Sequence, residues 1–169
     1  SGGVNNEKVW IFDNGSYGFA AGEVTYADPS TTVEWNNWSA NWDPGVGHSG
    51  DDAIWESTMT FGLTGGANVT VYNSSSQSTA VGTFMLNVDD HTITFTDCEL
   101  LHTPSWSDRS TNWNRNLKLL ELDENHMRIG VMRDNSEGPW WLVWNFVSKE
   151  YADNYVPEDR PDPEPALPD

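Results

Sequence analysis

Hydrophobic and polar positions alternate with a period of two along most of this chain. Near residue 60, Trp55, Met59, Phe61 and Leu63 share one parity while Thr58 and Thr60 take the other. Ile93 and Phe95 alternate with Thr92, Thr94 and Thr96 in the same way. Successive side chains of an extended backbone point to opposite faces, so each run predicts a half-buried β-strand. Further strands are predicted over Lys8–Asp13, Asn68–Tyr72, Thr83–Val88, Leu117–Leu122, His126–Arg133 and Trp140–Ser148. Gly65-Gly66, Asp89-Asp90, Asp123-Glu124-Asn125 and Asp134–Gly138 supply the turns between them. No segment holds a helical period. The pattern therefore predicts an all-β domain, an antiparallel β-sandwich of jelly-roll type, with a lipocalin-like meander barrel as the alternative.

Two stretches break the alternation. One lies between Ala20 and Asp52 and the other between Leu101 and Asn116, both too long for ordinary connections. Together they hold five of the ten tryptophans. On the last predicted strand Trp140, Leu142, Trp144 and Phe146 share a face assigned to the core. Trp141 points the other way with Val143, towards a second buried face or a ligand surface. Trp10 and Trp55 are assigned to the core.

Composition narrows the function. At 169 residues the chain is one domain with a core large enough to need no metal or disulfide staple. Twenty-six acidic residues against eight basic ones give a formal charge of −18. So negative a surface repels nucleic acid, anionic lipid and polyanionic polysaccharide, and leaves neutral ligands open. The single Cys98 sits between Asp97 and Glu99, which disfavours a reactive thiolate. Residues 1–7 read as a scar or cut linker, 8–150 as the β-module, and 151–169 as a tail. From Val156 onward that tail holds five of the nine prolines and five acidic residues. Such a segment is expected to be an extended spacer, with flanking domains of the same polypeptide beyond it.

The two long loops carry the candidate chemistry. The first, VEWNNWSANWDPG, places Trp35, Trp38 and Trp42 three and four residues apart with Asn37 among them. The second, TPSWSDRSTNWNRN, sets Trp106 and Trp113 beside Asp108, Asn112 and Arg115. Indole faces suit the apolar C–H face of a pyranose, and amide, carboxylate and guanidinium groups suit its hydroxyls. A platform covering roughly 100 Å² of sugar is worth about 2.5 kcal/mol. Three such contacts, less an association cost of at least about 4 kcal/mol, predict micromolar-to-millimolar affinity. These residues and Trp141 are the expected site for a neutral polysaccharide. Asp43, Asp51 and Asp52 are the candidate ligands of a structural Ca²⁺, without EF-hand spacing, and no other cofactor is expected. Glu34 and Glu56 flank the first loop and are the carboxylate pair that a small glycoside hydrolase or lyase would use. A structural adhesion or spacer module is the third class.

Three segments, KVWIFDNGSYGFAAG (8–22), EWNNW (34–38) and DDAIWESTMTF (51–61), occur in an order that resembles surface glycan-binding lipoproteins of Bacteroidota polysaccharide-utilisation systems. The stretch LLELDENHMRIGVMRDNSEGPWWLVWNFV (119–147) resembles their closing hairpins. The resemblance implies a noncatalytic carbohydrate-binding module of a larger extracellular or cell-surface protein, its anchor outside this chain. It also implies a β-glucan as ligand, with Trp35 and Trp38 in place of an adjacent tryptophan pair. No contact of the module itself with the membrane is expected.

Overall fold

The computed structural model describes residues 6–19 and 21–157. Strands β1 (Glu7–Phe12), β5 (Thr58–Gly62), β6 (Asn68–Asn73), β7 (Ser78–Asn87), β8 (Thr92–Thr96), β9 (Leu117–Leu122), β10 (His126–Met132) and β11 (Trp141–Ser148) are antiparallel to their neighbours. From β5 to β11 each pairs with the next, and β1 bonds both β11 and β5, which closes an eight-stranded barrel. The fold is thus all-β and antiparallel, but the jelly-roll sandwich is corrected to a closed meander barrel. A jelly roll needs long crossovers between two sheets, and here every hairpin returns beside its own predecessor.

The alternation does what it predicts. Met59, Val69, Ile93, Phe95, Leu117, Leu119, Met127, Ile129, Val131, Leu142, Trp144 and Phe146 fill the barrel with Trp10 and Phe12. Across the β7–β8 pair, Gly82 is required by crowding. A Cβ there would stand 2.0 Å from the Thr96 carbonyl oxygen and 2.8 Å from Cys98 Sγ, a close approach that only glycine permits inside a strand.

Strand β2 (Val24–Ala27) continues the edge of β11 that β1 begins. Phe12 pairs with Phe146 and Val24 with Trp144, leaving Asn145 at the break. Its carbonyl accepts from Asp13 N at 2.9 Å, its amide N–H donates to the Glu23 carbonyl at 3.0 Å, and its Nδ2 donates to the Gly22 carbonyl at 3.0 Å. One staff of the barrel is therefore split into two and stitched by a single residue.

The hairpin β3 (Val33–Glu34) and β4 (Asn37–Trp38) turns over Trp35-Asn36, with Asn36 at φ 54°, a left-handed position that Asn tolerates. It lies on the outer wall, where Ala27, Val33, Leu120 and Val143 form a second small core with Trp38 and Trp141 against it. A bulge opposite Arg128 turns both Leu120 and Glu121 outward to meet it. After β11, helix α1 (Lys149–Asn154) starts on the Ser148 hydroxyl, which accepts from Tyr151 N. Tyr151 Oη donates to the Tyr17 carbonyl at 2.8 Å and Tyr155 meets the Tyr17 ring edge-on. The folded body thus runs on through Tyr155, past the expected boundary at 150. The proposed spacer from residue 158 onward, and residues 1–5 of the expected linker, lie outside the described residues.

Candidate functional site

The loop-bearing end of the barrel is where the sequence concentrates its aromatics, and the structure sorts them. Trp106 and Trp113 are 3% and 4% exposed. This corrects their expected role as open platforms. The 3-10 turn Pro104–Arg109 drives Trp106 inward, where it meets Trp144 at 5.5 Å, while Trp113 meets the same ring at 6.0 Å. His102 stacks on Trp113 at 3.6 Å. Its Nδ1 donates to the Leu100 carbonyl, and its Nε2 is hydrogen-bonded to the Ser107 hydroxyl at 2.9 Å. Burial pushes its pKa down to about 4, against a smaller raising effect of the Leu100 bond. These side chains plug one end of the barrel.

Three tryptophans lie half-buried along the outer wall, each paired with a basic or imidazole side chain. Trp35 stacks on His91 at 4.8 Å, nearly parallel. Trp38 donates its indole N–H to Glu121 at 2.8 Å and has the Arg128 guanidinium 5.6 Å from its ring. Trp141 carries the Lys118 ammonium 4.8 Å from its ring, and that ammonium donates to the Val33 carbonyl at 2.8 Å. These contacts glue the hairpin to the barrel. Beside it Thr31, Thr32, Asn37, Trp38, Ser39 and Asn41 line a shallow groove of about 340 Å³.

Trp42 alone among the ten tryptophans is exposed, at 51%. It is held rigidly all the same. Its N–H donates to the Tyr26 carbonyl at 3.2 Å and its carbonyl accepts from Tyr26 N at 2.9 Å. The Tyr26 ring packs 4.7 Å from the indole, and His48 meets it edge-on at 5.0 Å. Tyr26 Oη and His48 Nε2 are hydrogen-bonded at 2.9 Å. Burial holds the Tyr26 phenol above its ordinary pKa, with the Arg109 and Arg133 guanidiniums pulling the other way. Behind His48 the fully buried Glu23 carboxylate accepts from Gly47 N and Ser49 Oγ, both at 2.9 Å, and so fixes the loop. Arg109 lies 3.8 Å over the inner Trp106 ring. The result is an exposed indole backed by a phenol and an imidazole.

The other expected residues are scattered. Asp108 and Arg115 are exposed on the second loop, and Asn112 is tied to Asp134 through its amide at 3.4 Å. Asp43 accepts from Gly45 N, and Asp51 accepts from Ala53 N and the Ser75 hydroxyl, so two of the three aspartates expected at Ca²⁺ cap their own loops. Among the described residues no group of three or more His, Cys, Asp or Glu is arranged to hold a metal ion. Glu34 stands on the outer hairpin 3.7 Å from Lys118, and Glu56 follows the 3-10 turn Asp52–Ile54. Tyr26, His48 and Glu23 escaped the sequence reading. The β-prone Val24-Thr25-Tyr26 before Asp28-Pro29 was the signal for the first, too short to register as a strand. No protein-family model matches the chain, and no curated protein matches it either.

Proposed function

We propose that the chain is a noncatalytic binder of a neutral polysaccharide, most simply a β-glucan, displayed as one module of a larger extracellular or cell-surface protein. The observation that carries this is Trp42, a half-exposed indole pinned by two backbone hydrogen bonds and backed by Tyr26 and His48. A hydrophobic ring left wet but immobilised suits a ligand that stacks, because its ordering entropy is already lost in the free protein. The adjoining groove offers Asn37, Asn41, Thr31, Thr32 and Ser39 for hydroxyl recognition, and the net charge of −18 favours a ligand without acidic groups.

One platform of about 2.5 kcal/mol cannot overcome the cost of association alone. The groove must contribute, and affinity for a single chain is expected near the millimolar range. Affinity electrophoresis against neutral polysaccharides tests the reading. Retardation by a β-glucan without release of reducing ends, abolished in Trp42→Ala and reduced several-fold in Asn37→Ala, supports it. Indifference to every neutral glycan refutes it.

A further inference from the structure

Among the described residues, nothing plugs the end of the barrel opposite Trp42. The 63–67, 88–91 and 123–125 turns lie there, and inside them opens an apolar mouth of about 410 Å³. Trp10, Phe61, Phe84, Leu86, Leu122 and Met127 line it. Leu86 and Leu122 belong to the inward-facing series of β7 and β9, yet each is 41% exposed. Inward-facing leucines are normally the best-buried residues of a barrel, so this lining is apolar surface that no described residue covers.

Size and charge decide what would cover it. A mouth of this volume falls in the range of small-molecule pockets, roughly 300–1,000 Å³. An α-helix with its side chains, about 10–12 Å across, is too thick for the interior of an eight-stranded barrel, which holds side chains or one small ligand. Lys8, Asp123 and Glu124 stand at the rim, one ammonium against two carboxylates. The ammonium is already engaged. It donates to the Glu124 carbonyl at 2.7 Å and sits 5.0 Å from the Trp10 ring centre. An anionic headgroup would therefore meet net negative charge at the rim of a molecule that carries −18 overall.

The geometry points to a second binding site, in which the open barrel mouth takes an uncharged, small, apolar molecule. The site is independent of the polysaccharide reading, because Trp42 and the groove lie at the other end and on the outer wall. The full chain is titrated with N-phenyl-1-naphthylamine, a neutral fluorescent probe, and in parallel with the anionic 8-anilinonaphthalene-1-sulfonate. Saturable one-to-one enhancement by the neutral probe is expected, with Kd on the order of 10–100 µM. The sulfonate should bind several-fold more weakly at low salt. Leu86→Glu, or Leu122→Glu should the first variant melt early, is expected to weaken the neutral probe at least about tenfold. Val81→Glu, outward-facing on the same strand and 65% exposed in Val81 form, leaves it unchanged. No saturable enhancement, a preference for the sulfonate, or binding that survives both mouth variants overturns the proposal. Polysaccharide retardation measured on the same variants stays as in the parent, which separates failure here from failure at Trp42.

Discussion

At the scale of single residues, the ten tryptophans separate by burial, and mutation should read that separation directly. Trp106→Ala empties a site 3% exposed and packed on Trp144, and is expected to cost about 3–5 kcal/mol in urea unfolding. Trp42→Ala removes a ring half in water and should cost under about 1.5 kcal/mol while abolishing polysaccharide retardation. Asp13 carries a second prediction. It is 2% exposed, and burial raises its carboxyl to about 6, outweighing the Gly15 N–H, Arg128 and His126, with Asp43 adding to the rise. The folded protein then binds more protons than the unfolded chain between about pH 4 and 6. Stability from this group falls as pH rises through that window and stays low above it. His102 acts in the opposite sense, since its depressed pKa costs stability as pH falls from about 6.5 towards 4. Asp13→Asn should therefore be more stable than the parent at pH 8, by up to about 3 kcal/mol, and the gain should vanish near pH 3.5. An unchanged difference between the two unfolding curves across that range would refute the assignment.

Elements show where local pattern suffices and where it does not. The strand spans at Thr92–Thr96 and Leu117–Leu122 match the predicted bounds, the first because buried Ile93 and Phe95 alternate with wetter threonines, the second despite a bulge that sends Leu120 into the outer-wall core. The short β2 defeats the rule. All four of its residues are buried, since the outer-wall hairpin and loop cover the side that would otherwise face water. Closure was no more legible, for a period of two reports which side chains point inward but not whether the sheet joins its own ends. Trp106 and Trp113 read as platforms because loop tryptophans flanked by Asn and Asp look solvated. Only the 3-10 turn at Pro104–Arg109 reveals that they double back into the barrel. Trp42 and its groove neighbour Asn37 were legible; Tyr26 and His48, joined to Trp42 across the chain, were not. Within the barrel wall, Gly82→Ala sets a Cβ against the Thr96 carbonyl and the Cys98 thiol. It is expected to cost at least about 2 kcal/mol and to loosen the β7–β8 ladder, read as lost amide protection in Thr83–Asn87 and Thr92–Thr96.

The whole molecule carries a charge of −18 around the barrel core and its small outer-wall companion. Self-repulsion of that size strains any compact form and is screened by ions, so the melting temperature should rise between 10 mM and 500 mM NaCl. A flat or falling curve would mean that local pairing offsets the excess. The split first staff has a consequence in time as well as in space. Trp10 pairs with Ser148 and Phe12 with Phe146, so the seam of the barrel joins residues about 140 positions apart. At 5–20 residues per second, a ribosome delivers β11 roughly seven to thirty seconds after β1. Throughout that interval one edge of β1, with its tryptophan and phenylalanine, waits without its partner, and the nascent chain depends on whatever shields that edge until the last strand emerges.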